Sequence, residues 1–248
     1  MGIADKIYIE NYYVNNPLKF YTNPRGLRIF FIACTEIAKF VLAKAGMLKW
    51  AFNERVVERP FVFQNMPQKP GARILDIGCA DSIMPIEMAS LGYETYGNDY
   101  KKYPFTHPRF KFILGDAMKL PFQDNFFDAV TCISVIEHVG LSKDFGQQTK
   151  ERKDKMLMEK IHKMLKKKGI LILTTSFGTS RILANKHTRV YNSEECKMLF
   201  SGFKNLKERY FYYAEKLQAW QEASPEFLEK ITKEKNKDSV AMFVLEKA

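Results

Sequence analysis

At 248 residues and 46% hydrophobic content, the chain suits one domain with an embellishment or a small cap. Its 39 basic and 28 acidic residues leave a net charge of +11, which permits an anionic partner such as RNA, a phosphorylated metabolite or an anionic membrane surface without identifying one. Cys34, Cys79, Cys132 and Cys196 show no CxxC spacing, which argues against a disulfide framework or a zinc site and for reduced, buried thiols in a cytoplasmic protein.

The opening MGIADKIYIE has no charged region followed by an apolar core, so no signal peptide is expected. Residues 1–70 read as an N-terminal helical extension rich in aromatics. The stretch 27–48 is long enough to span a membrane, but Arg28, Glu36, Lys39 and Lys44 interrupt it, and a charge at mid-span costs a few kcal/mol. Ile29, Ile32, Ala33, Ile37, Phe40 and Val41 recur at helical spacing, so an amphipathic helix is expected with no transmembrane segment. Packing on the sheet or in a homodimer, a lid over the substrate, and peripheral membrane contact are the alternatives for it. Helix continues over 53–66, until Pro67 and Pro70 mark the boundary with a second domain, 71–248.

Residues 73–100, RILDIGCADSIMPIEMASLGYETYGNDY, read as strand, tight loop, helix, strand. Strand 73–77 ends at a turn on Gly78, Asp81 or Ser82 caps a helix through Ala89, and Pro85 falls in its first turn. A second strand, 93–97, ends at Asn98-Asp99. This is half of a doubly wound α/β sheet, which binds ligands at the carboxyl ends of its strands, where Gly78 and Asp99 fall. The dinucleotide fingerprint would need glycines where Gly78, Ala80 and Ile83 stand, and Asp81 would repel a pyrophosphate. A nucleoside cofactor with no phosphate and a positive charge at its other end fits better, and S-adenosylmethionine is such a molecule. Asp99 falls 23 residues after Asp76, close to the offset of roughly 20 at which an acid reaches ribose hydroxyls.

Tyr100 flanks the cofactor or joins the core, and 101–108 is a proline-bearing loop. After a third strand, 110–114, Asp116 is placed to accept from an adenine amino group and the Ala117 N–H to donate to a ring nitrogen. The fourth strand, 128–134, is a near-continuous apolar run ending at Ser134, as in a parallel sheet covered on both faces. Glu137 and His138 follow at its carboxyl end. His138 could take a proton from a substrate hydroxyl, because imidazole titrates near neutrality; the plainer alternative is packing beside the cofactor. A long helix is expected over 143–168, with the stripe Met156, Leu157, Ile161, Met164 and Leu165 and a lysine-dense opposite face. Gly169 stops it before a fifth strand, 170–174. The polar loop 175–190 gathers Arg181, Lys186, His187 and Arg189, a set suited to a substrate carboxylate or phosphate. Asn192 or Ser193 caps a helix through Phe200, with Glu194 and Glu195 in its first turn. Strands 203–213 and 239–246 form an antiparallel hairpin closing the sheet, with the lysine-rich 229–237 on the surface between them.

Four ordered motifs carry a resemblance. Asp76-Ile77-Gly78-Cys79-Ala80-Asp81-Ser82 stands for an acid-x-Gly-x-Gly-x-Gly loop, with Ala80 and Ser82 in place of two glycines. Asp99 ends the second strand, GDAMKLPFQDNFFDAV covers 115–130, and TCISVIEHV covers 131–139. The chain resembles the class I S-adenosylmethionine-dependent methyltransferases from about residue 73 to residue 202. The resemblance implies a Rossmann-like seven-strand sheet with helices on both faces and S-adenosylmethionine as cofactor. It implies Asp76, Gly78, Ala80, Asp81, Asp99, Tyr100, Asp116, Ala117 and Ser134 as cofactor-binding residues; Glu137 and His138 are the catalytic candidates by their chemistry and place, and many members of the family with this pair do not use it as a base. Arg181, His187 and Arg189 would bind substrate, and no metal site is indicated. A small-molecule acceptor (a glycan sugar, a lipid-like precursor or another metabolite) is expected. The alternatives are an RNA methyltransferase, which the charge favours but no motif supports, and a non-catalytic binding protein that retains the fold.

Overall fold

A computed structural model describes residues 53–141, 152–183, 187–234 and 238–248. The chain divides into two compact units, Met1–Ala51 and Phe52–Ala248, and all described residues lie in the second. The expected helix over 27–48, with its lid, dimer and membrane alternatives, lies outside them, as do Cys34 and Lys186.

The unit opens with α1 (Arg55–Gln64), which carries Pro60 inside it. There follow β1 (Arg73–Ile77), α2 (Met84–Ser90), β2 (Glu94–Asp99), β3 (Phe110–Leu114) and β4 (Phe127–Ile133). Then come α3 (Lys153–Met164), β5 (Leu165–Ser176), a small ribbon of β6 (Arg181–Ile182) and β7 (Arg189–Val190), and α4 (Ser193–Leu199). The chain closes with β8 (Phe203–Ala214), β9 (Ala219–Glu222), α5 (Pro225–Glu234) and β10 (Ser239–Lys247).

One sheet runs in the order β3-β2-β1-β4-β5-β10-β8-β9. Pairings among the first five strands are parallel and the remaining ones antiparallel. Strand order reverses between β1 and β4, the switch point at which such sheets bind ligands. The core divides as the period of two dictates. Leu75 and Ile77, Val130 and Cys132, Leu171 and Leu173, and Phe243 and Leu245 face one layer with Leu157, Ile161 and Met164 of α3, Leu199 of α4 and Leu228 of α5. Ile74, Ala129, Ile172 and Met242 face the other with Phe61 and Val62 of α1 and Met84 and Met88 of α2. Both faces are covered, so these strands are apolar on successive residues.

Seven strands were expected and are present; β9, a short edge strand on β8, makes the eighth. It was illegible because AWQE carries no alternation and gains its place from pairing with 211–214. The helix expected to run to Lys168 ends at Met164. Leu165 is fully buried, Lys166 reaches Asp128 at 2.7 Å, and Lys168 turns to a positive φ of 59° before the strand resumes at Ile170. Residues 143–151 of that expected helix lie outside the described residues. Residues 229–234 of the lysine-rich stretch expected on the surface belong to α5, which buries Leu228 and Thr232. At α2 the cap falls one residue late, on Ile83, but Ser82 still serves it: its Oγ accepts from the Met84 N–H at 3.1 Å. Asn192 caps α4 with a full capping box closed by Glu195.

Candidate active site

Two adjoining cavities open along the carboxyl edge of the sheet. The first, about 450 Å³, is lined in sheet order by Asp116, Ala117 and Met118 after β3, Asp99 and Tyr100 after β2, Gly78 and Asp81 after β1, and Ser134 and Val135 after β4. The second, about 730 Å³, continues past β4 to Ser176 of β5 and Ser239 and Val240 of β10, with Phe177, Arg181, Val190 and Trp220 in its walls. Arg55, Ser134 and His138 line both.

The first cavity owes its shape to the turn after β1. Gly78 sits at φ +75°, and a Cβ there would lie 2.2 Å from Val135 Cγ2, so only glycine leaves the floor open. The Ala80 N–H donates to Asp99 Oδ2 at 2.9 Å and the Lys101 N–H to Oδ1 at 2.9 Å, fixing that carboxylate at the end of β2. Lys101 pairs with Asp81 at 3.1 Å. Asp116 caps a 3-10 turn, Ala117–Lys119, by accepting from the Met118 N–H at 2.9 Å. Burial and then the neighbouring Asp116 carboxylate raise the Tyr100 phenol above its ordinary range.

The expected cofactor residues Gly78, Asp81, Asp99, Tyr100, Asp116, Ala117 and Ser134 therefore meet around one cavity. Asp76 and Ala80 lie behind its wall. Asp76 is 2% exposed and accepts from Thr131 Oγ1 at 2.6 Å, across the β1–β4 register pair these residues form. Burial pushes its carboxyl up to about 7, against the pull of that hydrogen bond.

Ser134 follows β4 with φ +51°, a left-handed conformation for a residue with a side chain. Its N–H donates to Thr174 Oγ1 at 2.9 Å and its hydroxyl to Glu58 Oε1 at 2.6 Å. Strain of this kind persists where surrounding structure over-determines it. His138 closes a 3-10 turn, Ile136–His138, and its Nδ1 lies 2.6 Å from the His187 carbonyl oxygen. A carbonyl only accepts, so Nδ1 carries a proton and Nε2 is the acceptor position of the tautomer this bond selects. Glu137 points into the second cavity only; it is buried, with Thr175 Oγ1 at 3.2 Å and Ser176 Oγ at 3.4 Å as donors. Burial raises its carboxyl, with His138 opposing.

The cations expected for a substrate anion do not converge. Arg181 lines the second cavity, its Nη1 donating to the Thr232 carbonyl at 2.8 Å. His187 lines the first cavity. Arg189 lies in neither; it is buried in an ion pair with Asp154 at 2.9 Å, beside Tyr191 and Arg152. Alternating residues of a loop point to different neighbours, and a buried Asp154 is a stronger claim on an arginine than open solvent. What the second cavity does carry is Glu54, Glu137 and Asp238.

Among the wall residues not singled out from the sequence are Glu54 and Arg55 at the start of α1, Trp220 of β9 and Asp238 before β10. Glu54, Arg55 and Glu58 sit at helical spacing, and Glu58 becomes fully buried only where α1 packs on the sheet, so no sequence signal marked them. Burial, then Glu58, raises the Glu54 carboxyl. No group of metal-ligating side chains able to hold an ion occurs among the described residues.

The first cavity fits S-adenosylmethionine. Its volume is of ligand size, Asp99 stands where ribose hydroxyls would donate, and Val135, Val139 and Leu157 offer apolar surface to a base. The glycine floor admits close approach of a ligand.

Residues 75–173 match the family described as "Methyltransferase domain". A demethylmenaquinone methyltransferase of Corynebacterium efficiens is 31% identical over 84 residues, 33% of this chain and 36% of the relative. That of Corynebacterium glutamicum (strain ATCC 13032) is 26% identical over 176 residues, 68% of this chain and 70% of the relative. The chain thus spans about a third of the first relative's length. Among solved structures, a SAM-dependent methyltransferase of Methanosarcina mazei superposes with a TM-score of 0.52 at 16% identity, covering 76% of this chain and 97% of that one, which bears on the fold alone. Residues 75–173 thus carry the match to a methyltransferase domain, and the sheet order and switch-point cavity around them agree with the fold of the S-adenosylmethionine-dependent methyltransferases.

Proposed function

We propose that this protein transfers the methyl group of S-adenosylmethionine to a small-molecule acceptor seated in the second cavity. The observation that carries the reading is the seam: two cavities, one of cofactor size and one whose wall mixes apolar residues with charges of both signs, meet at Ser134, Arg55 and His138. When bound, S-adenosylmethionine supplies an electrophilic methyl on a sulfonium whose leaving group is a neutral thioether. The chain's own contribution is then position and proton acceptance. His138, its tautomer held by the His187 carbonyl, accepts the acceptor's proton at Nε2. Phe177, Val190 and Trp220 seat an apolar body, and Glu137 offers an anchored acceptor to a hydroxyl or amine.

The catalytic domain of this reading runs from residue 71 to the C-terminus. Helix α1, from the preceding extension, lends Glu54 and Arg55 to the cavity walls. The relatives are named for demethylmenaquinone, which supports a small acceptor with an apolar part over an RNA. No helix among the described residues is long and apolar enough to cross a membrane. The buried free thiols Cys79, Cys132 and Cys196 suit the reducing cytoplasm. The test is S-adenosylhomocysteine release by the full chain with demethylmenaquinone and a panel of apolar phenols and amines. Turnover of any one supports the reading; absence of both turnover and S-adenosylhomocysteine binding in folded protein overturns it.

A further inference from the structure

The lining of the first cavity follows the order of the strands, and that order gives a bound cofactor a direction. With adenine beside Asp116 after β3 and ribose beside Asp99 after β2, the amino-acid end of the ligand falls at β1 and β4. That end carries a carboxylate, and a carboxylate withdrawn from water requires charged donors. Lys101 stands at the β2 end and is paired with Asp81. The His138 Nδ1 proton is committed to the His187 carbonyl.

Arg55 stands at β4. Its Nη1 donates to the Ile133 carbonyl at 3.3 Å, on the last residue of that strand, and to Glu58 Oε2 at 2.6 Å. A guanidinium has N–H donors on Nε and Nη2 as well, and these have no partner among the described residues. The side chain is 37% exposed while that of Glu58 is 0% exposed. The other oxygen of Glu58 accepts from Ser134 Oγ and Thr174 Oγ1, which tie the acid to the ends of β4 and β5. The arginine is thus held on one edge and open on the other. A planar fork fixed in this way suits bidentate capture of a carboxylate.

We infer that Arg55 grips the α-carboxylate of the cofactor at the seam of the two cavities, and that Glu58 is the positioning residue that aims it. The inference rests on the methyltransferase reading and assigns a helix outside the matched domain to the cofactor site. The test compares two ligands that share adenosine and thioether but differ in the amino-acid end. S-adenosylhomocysteine carries the carboxylate; methylthioadenosine lacks it. Calorimetric titration of the full chain is expected to show Arg55→Met weakening S-adenosylhomocysteine by about 10- to 100-fold, the range for a charge-assisted hydrogen bond. Methylthioadenosine should be unchanged within about twofold, which also shows that the variant is folded. Arg55→Lys restores part of the loss, because it returns the charge without the fork, and Glu58→Gln weakens S-adenosylhomocysteine selectively but less. A loss common to both ligands, or a loss in neither, overturns the inference and leaves the methyltransferase reading standing. Failure of the unaltered protein to bind either ligand overturns that reading itself.

Discussion

Replacing Asp76 by asparagine should stabilise the protein at neutral and alkaline pH and not in acid. The carboxyl is 2% exposed, and only Oδ1 has a partner, Thr131; Oδ2 is buried without one. Burial lifts it from an ordinary 3.8 to about 7. The unfolded chain therefore releases this proton near pH 4 and the folded chain near pH 7. Between those values the native state holds the extra proton, so rising pH favours unfolding, and the cost is complete above about pH 7. A gap of about 3 pH units at ~1.36 kcal/mol each sets a ceiling of about 4 kcal/mol. The variant never ionises, and its amide oxygen can keep the Thr131 bond. Urea denaturation of both proteins from pH 4 to pH 8.5 reads the difference directly, and other titrating groups cancel in it. The expected gain of the variant over the parent grows with pH by about 1–4 kcal/mol and levels off above neutrality. A difference that stays constant across the range would refute the reasoning.

The other predictions concern the cavity floor, the proton acceptor and the arginine outside the site. Gly78→Ala places a Cβ against Val135 at a positive φ, so it should lower S-adenosylhomocysteine affinity at least tenfold and cost about 1–2 kcal/mol of stability; unchanged calorimetric affinity would count against the cradle. His138→Gln should reduce kcat by about 10²- to 10⁴-fold, while S-adenosylhomocysteine affinity stays within about threefold. An unaffected kcat would leave His138 a packing residue. Arg189→Met breaks the buried pair with Asp154, whose carboxyl is held below the usual range by Arg152, Arg189 and Tyr191 despite its burial. The expected loss is about 3 kcal/mol in chemical denaturation, with the acceptor KM unchanged. A raised KM at full stability would return Arg189 to the substrate site.

Much of the site was legible because its chemistry is local. The turn at Gly78, the acid ending β2 at Asp99 and the cap at Asp116 each follow a strand within a residue or two, and a parallel sheet places every such strand end on one edge. The apolar run of 73–77 and the capping signals at Asn192 likewise need nothing beyond their neighbours. Where lysines of good helix propensity follow Met164, burial of Leu165 and the pairing of Lys166 with Asp128 decided for strand instead.

The fates of the charged residues were decided in tertiary structure. Arg181, His187 and Arg189 are near neighbours along the chain, yet one lines the second cavity, one the first, and one is locked to Asp154 from another helix. Arg55 and Glu58 fall in the helix expected over 53–66 with nothing to single them out until α1 packs on the sheet and brings them to the end of β4. Backbone periodicity and turn chemistry act over a few residues, so the sequence alone determined the βαβ frame and the cofactor edge. The partner of a buried charge is set by whichever opposite charge or donor the fold delivers within about 3 Å, and that only the folded chain decides.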